Sequence, residues 1–148
     1  MPGGGNHRGS IFRLHVGTAL LTSGDWPAGV RVSWGSGNTA KGKVREDEYP
    51  IEIAVSQHIG SMPFLWVAVD DEPDSGSDRA VIETSAIALL SNARRPAVDS
   101  PSALWLGQLA NREAVRTSGL WNVEHVHSSP SVGFLDVLTR HVGAVTAV

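Results

Sequence analysis

Glu83 has the clearest opportunity to do chemistry in this chain. It sits within residues 79–92, Arg-Ala-Val-Ile-Glu-Thr-Ser-Ala-Ile-Ala-Leu-Leu-Ser-Asn, whose spacing predicts a helix. Helical periodicity places Arg79, Ala86, Ile87 and Leu90 on the face of Glu83, so an acid is expected on the apolar stripe. A buried, unpaired carboxylate is expensive and persists only when paired, protonated or bound to a cation. Arg79, one helical turn earlier, offers the first solution. A hard divalent cation, which prefers carboxylate oxygen, offers the last.

A second group is Asn6, His7 and Arg8. A guanidinium can grip a phosphate with two parallel hydrogen bonds, and Asn and His add donors. The helix predicted to start at Ser10 would bring a positive dipole end beside them. The plainer reading is a solvated loop. Glu124, His125 and His127 form a His-x-His pair beside an acid, with both imidazoles on one face of an extended segment. Two ligands are too few for a closed zinc site, and a surface loop is the simpler account. His58, on an otherwise apolar face, reads as a half-buried, satisfied histidine. Arg94 and Arg95 fit compensation of a helix C-terminus. Asn92 and Asn122 are open between helix capping and a place near a site.

Composition narrows the classes. The chain has 148 residues, enough for one modest core. It has no cysteine, which excludes disulfides, Cys-based zinc sites and thiol catalysis. A formal net charge of -3 weighs against strong non-specific binding to nucleic acid, which needs clustered Lys and Arg. No apolar run is long enough to span a membrane, and the N-terminus has no secretory h-region, so a cytoplasmic protein is expected.

The elements that must position these residues follow from the apolar spacing. Residues 1–9 are expected to be a flexible Gly-rich segment and 10–148 the domain. Ser10 is predicted to cap a helix running to about Thr22, with Phe12, Val16, Ala19 and Leu20 inward. Residues 23–44, dense in Gly, read as a long loop pinned by Trp26 and Trp34. Pro50, after Glu46, Asp47 and Glu48, reads as the first turn of a helix that buries Ile51, Ala54, Val55, His58 and Ile59. Residues 64–69, Phe-Leu-Trp-Val-Ala-Val, make the best strand in the chain. Ser77 or Asp78 caps the Glu83 helix. A short helix over 111–117 and a last one over 130–141, with Val132, Leu135 and Leu138 inward, complete the set. One strand has no partner for its backbone groups. Partners are expected in weak strands, such as Val30, Arg31 and Val32, or outside the chain.

Three stretches in order resemble a known family. They are Gly-Gly-Gly-Asn-His-Arg-Gly-Ser-Ile-Phe-Arg at 3–13, Met-Pro-Phe-Leu-Trp-Val at 62–67 with the Glu83 stretch, and Trp-Leu-Gly at 105–107 with Ser-Gly-Leu-Trp-Asn at 118–122. Together they resemble a bacterial branch of the GIY-YIG nuclease superfamily. The resemblance implies an α+β fold, a small antiparallel sheet flanked by helices, here N-terminally incomplete and mostly helical. It implies metal-dependent hydrolysis of a nucleic-acid phosphodiester, with Glu83 as catalytic residue and ligand to Mg²⁺ or Mn²⁺. Asn6, His7 and Arg8 would contact nucleic acid, DNA above all. The family's site also needs two tyrosines and an arginine from elements that precede the Gly-Gly-Gly stretch. Tyr49 is the sole tyrosine, so no tyrosine pair can form. The chain is therefore expected to be inactive on its own, with a protein partner able to complete the sheet. A non-catalytic module that binds nucleic acid or protein is the alternative. A rival alignment sets Gly9-Ser-Ile11 and His15-Val-Gly17 as degenerate GIY and YIG motifs, although their spacing is helical.

Overall fold

The computed structural model describes residues 5–94, 96–97 and 99–145. Its helices are α1 (Ile11–Ser23), α2 (Ala28–Ser33), α3 (Gly42–Gly60), α4 (Asp78–Leu90), α5 (Glu113–Ser118) and α6 (Phe134–Val145). Two 3-10 turns accompany them, His7–Gly9 before α1 and Leu106–Leu109 between α4 and α5.

Among the described residues there is no strand, so the expected α+β fold with a small antiparallel sheet is not what this chain forms. The reason is a lack of partners. Val30, Arg31 and Val32, the candidate weak strand, wind into α2, where Val30 is buried. Gly9 belongs to a 3-10 turn, and Ile11 and His15 to Gly17 belong to α1, so the rival motif alignment has no strands either. Residues 64–69 remain without regular structure.

The core joins α1, α2 and α3 through Val16, Leu21, Val30, Trp34, Ile51 and Val55. Each such side chain contributes about 1.5–3 kcal/mol by leaving water. Ser10 caps α1 as expected, its Oγ accepting from the backbone N of Arg13 at 3.3 Å. The Trp34 ring is the joint between these elements. Its Nε1 donates to the Leu14 carbonyl at 3.2 Å, and its face stacks on the His7 ring with centroids 3.7 Å apart. On α1, Gly17 leaves room for it: a Cβ there would fall 2.0 Å from Trp34 Cζ2.

α3 begins at Gly42, eight residues before Pro50, which lies inside the helix and not at its start. Proline forfeits one helical hydrogen bond and crowds the carbonyl one turn earlier. The helix persists because both flanks are fastened: Ile51 and Val55 are fully buried, and Glu48 and Glu52 are held by ion pairs.

The second helical group pairs α4 with α6. Ser77 caps α4, and Asp78 takes a hydrogen bond from His141 at 2.8 Å with Arg140 at 3.3 Å. Ser85 Oγ accepts from the Ser131 backbone at 3.1 Å. The faces are rotated from expectation. On α6, Phe134 is buried and Leu138 half-buried, whereas Leu135, and Val132 just before the helix, are exposed. On α4, Ser85 and Ala88 are the buried residues, and small side chains there allow close approach of the partner backbone.

Candidate functional site

α4 carries Glu83 on its solvent side. Glu83 is exposed, and so is Leu90 on the same face, while Ala86 and Ile87 are half-buried. The premise of a carboxylate sunk in an apolar stripe is therefore corrected: the rotation that buries Ser85 and Ala88 turns Glu83 outward. Nor does Arg79 pair with it. The Arg79 guanidinium reaches back to the carbonyls of Val69 at 2.9 Å and Asp71 at 3.2 Å, with the Asp71 carboxylate at 3.5 Å. Glu83 has no ion-pair partner among the described residues, and its carboxylate faces water.

The structure draws His7 and Arg8 the other way, into the protein. Residues 5–9 do not hang free: the His7–Gly9 turn is fastened to α3. Arg8 Nη1 and Nη2 donate to the two oxygens of Glu48 at 2.5 and 2.9 Å, a fork-to-fork pair with both side chains almost wholly buried. Beside it, Glu52 Oε1 accepts from the His7 backbone at 2.6 Å and meets His7 Nδ1 at 2.9 Å. His7 Nε2 in turn accepts from the Gly35 backbone at 3.2 Å, so a neutral ring with its proton on Nδ1 satisfies both nitrogens. Arg13 donates to Glu52 Oε2 at 2.6 Å, and also to the Glu52 carbonyl and Ser56 Oγ, each at 3.0 Å. Asn6 is the outermost of the three predicted contacts. It is exposed, and its Oδ1 caps the turn by accepting from the Arg8 backbone at 3.1 Å. A phosphate reaching Arg8 or His7 here must displace carboxylates already in place.

The electrostatics follow from that pairing. Burial pushes the Glu48 carboxyl up, but hydrogen bonds from Arg8 and Ser33 outweigh it, and the group lies below the ordinary value. Glu52 behaves alike: burial raises it, while Arg13 and then His7 carry it below the ordinary value. The hydrogen bond to Glu48 leads in holding Arg8 above the ordinary arginine value, against its own burial. Burial lowers His15 and His58. For Asp78 the hydrogen bond from His141 is the main cause of a lowered value.

Sequence reasoning missed Arg13 and the Glu48–Glu52 pair. The signal was present: Glu48 and Glu52 stand one turn apart, on the helix face shared with Tyr49 and Arg45. That face lines an open cavity of about 670 Å³ with Asn6, Arg8, Arg45, Glu48, Tyr49 and Glu52 among its walls. Asn92 serves structure, its backbone N donating to the Ser118 carbonyl at 2.9 Å and its Nδ2 to the Asp99 carbonyl at 3.1 Å. His125 takes a positive φ of 61°, and the His127 carbonyl accepts from Arg94 at 2.6 Å. Among the described residues, no group of three or more His, Asp or Glu side chains gathers to hold a metal. Nor is any helix there long and apolar enough to cross a membrane.

Exposed helix carboxylates and a buried ionic lock do not by themselves define a family, so the family rests on sequence comparison. The model of the GIY-YIG domain matches residues 1–148, and the chain belongs to that family. Comparison with curated proteins and with solved structures returned no match.

Proposed function

We propose that this chain is a nuclease-type domain that engages a nucleic-acid phosphodiester, DNA in the first place, at the exposed Glu83 face of α4. The observation that carries the reading is the open Glu83 carboxylate within a chain matched by the GIY-YIG domain over residues 1–148. One carboxylate is a sparse donor set, but it fits Mg²⁺ or Mn²⁺ shared with substrate. Mg²⁺ keeps several waters and is commonly held by one or two carboxylates together with phosphate oxygens. When bound, such an ion polarises a phosphoryl oxygen and acidifies a water.

The chain's own residues divide the work. Glu83 anchors the cation from a helix fixed by the Ser77 cap and by the Asp78 contacts with α6. His7 and Arg8 act indirectly, by locking residues 5–13 to α3. Tyr49, on α3, is the sole tyrosine, so two phenols cannot converge on a water. The chain by itself therefore retains nucleic acid through a cation without turnover.

Two assays test this. With Mg²⁺ or Mn²⁺ present, supercoiled plasmid should stay intact while a labelled duplex is retarded in a mobility shift. Retardation should vanish with EDTA and in Glu83→Ala. Plasmid nicking that disappears in Glu83→Ala would overturn the absence of turnover. Retardation indifferent to both EDTA and Glu83→Ala would remove the cation bridge and leave a plain binding module.

A further inference from the structure

We propose that residues 64–69 are a docking strand that receives an extended protein segment bearing basic residues at one end. This goes beyond the reading of Glu83 and does not depend on it.

The first observation is exposed apolar surface. Phe64 is 83% exposed and Trp66 67% exposed, and Leu65 between them is fully so. Single exposed apolar residues need no explanation, but a contiguous run of large ones marks an interaction site. The second is the backbone. Residues 63–68 make no hydrogen bond between main-chain groups among the described residues, so the main-chain groups of 64–68 are not committed to a neighbouring strand. The third is how the run is held. Met62 N donates to the Ile59 carbonyl at 3.1 Å at one end, and Arg79 donates to the Val69 carbonyl at 2.9 Å at the other. Near that second anchor the exposure alternates: Trp66 and Ala68 are exposed, Val67 and Val69 half-buried. That is the two-residue period of a strand lying with one face against the domain.

Chemistry selects the occupant. Residues 64–69 carry no charge, and their aromatic and β-branched side chains suit a pleated surface. An added strand satisfies the open main-chain groups and covers the apolar side chains together. Immediately after the run come Asp70, Asp71, Glu72 and Asp74. Only Asp71 has an ion-pair partner among the described residues. These acids repel a phosphate backbone and call for cations on the incoming strand. A second copy of this chain does not supply them. Parallel pairing would stack acid on acid. Antiparallel pairing would set the acids against residues 59–63, Ile-Gly-Ser-Met-Pro, which hold no cation.

The test uses the full chain and a synthetic peptide, Lys-Lys-Thr-Val-Thr-Val-Thr-Val, whose cations reach the acids in antiparallel register. A counterpart with Glu-Glu in place of Lys-Lys is the control. Fluorescence anisotropy of the dye-labelled peptides should show the Lys-Lys peptide binding at least about tenfold tighter than the control. Amide exchange at residues 64–69 should slow in the complex. Neighbouring N–H groups point to opposite edges, so Leu65→Pro or Trp66→Pro should abolish binding, with helical circular dichroism unchanged in both. Equal affinity for the two peptides, unslowed exchange, or full binding by both proline variants overturns the proposal. So does concentration-dependent self-association that slows the same amides without peptide. If a proline variant fails to fold, the peptide comparison on the unsubstituted chain still decides.

Discussion

Residues 6–56 and residues 63–90 use charge and apolar surface in opposite ways. In the first region, Arg8, Arg13, His7, Glu48 and Glu52 are drawn inside and paired with one another, with Arg8 Nε left unpartnered among the described residues, around a core that holds Ile51 and Val55. In the second, Phe64, Leu65 and Trp66 lie in water, and so does Glu83. The difference teaches that burial here follows partners and not polarity. A guanidinium with a geometrically matched carboxylate can be buried, whereas an apolar strand with no neighbour cannot cover itself.

The largest effect should come from breaking the lock in the first region. Glu52→Ala leaves Arg13 and His7 without their shared acceptor, and loss of one partner of a buried pair costs about 3–5 kcal/mol. Chemical denaturation should show an unfolding free energy lowered by that amount, with Glu48→Ala close behind. Next comes Gly17→Ala. The added methyl meets the Trp34 ring, and overpacking costs about 1–3 kcal/mol. Thermal unfolding should register it, along with altered Trp fluorescence.

Acid should weaken the fold in two stages. His15 and His58 lie below the ordinary histidine value when folded. The unfolded chain then binds the extra protons first, and stability starts to fall as pH drops below about 6.5. Glu48 and Glu52 also have lowered folded values. Their contribution is complete above the ordinary carboxylate range and is lost as pH falls through the lower folded values. Stability measured by denaturant titration against pH should show both declines, and Glu52→Ala should shrink the second.

The smallest effects belong to the second region. Trp66→Ser and Glu83→Gln should each change stability by no more than about 0.5 kcal/mol, as surface substitutions do. A loss of several kcal/mol at either would show that these residues are packed after all. Glu83→Gln should still lose cation-dependent retardation of duplex DNA, which separates function from stability at that position.

How much of this was legible in the sequence depends on the range of the interaction concerned. Local signals read well: Ser10 caps α1 as expected, and of the two candidates Ser77 and Asp78 it is Ser77 that caps α4. The inward placement of Ile51 and Val55 also followed from spacing. Pro50 misled because a first-turn preference was overruled by tertiary anchoring on both of its flanks. Residues 64–69 read as a strand because their side chains suit one, yet a strand exists only with a partner. Glu83 was set on the wrong face because α4 buries the small residues Ser85 and Ala88, which weigh little in an apolar pattern. The Arg8–Glu48 pair spans 40 residues, and spacing alone gives no hint of that pairing.

The separation between His7 and Glu52 has a consequence for synthesis. Their bond joins positions 45 residues apart. At about 5–20 residues per second, Glu52 is added roughly 2–9 seconds after His7. Until α3 is made, Arg8 and Arg13 lack the carboxylates of Glu48 and Glu52 that hold them. Docking of residues 6–13 onto α3 cannot precede the synthesis of α3. A pause in translation before Glu52 would lengthen the time in which this basic segment is open to chaperones and proteases.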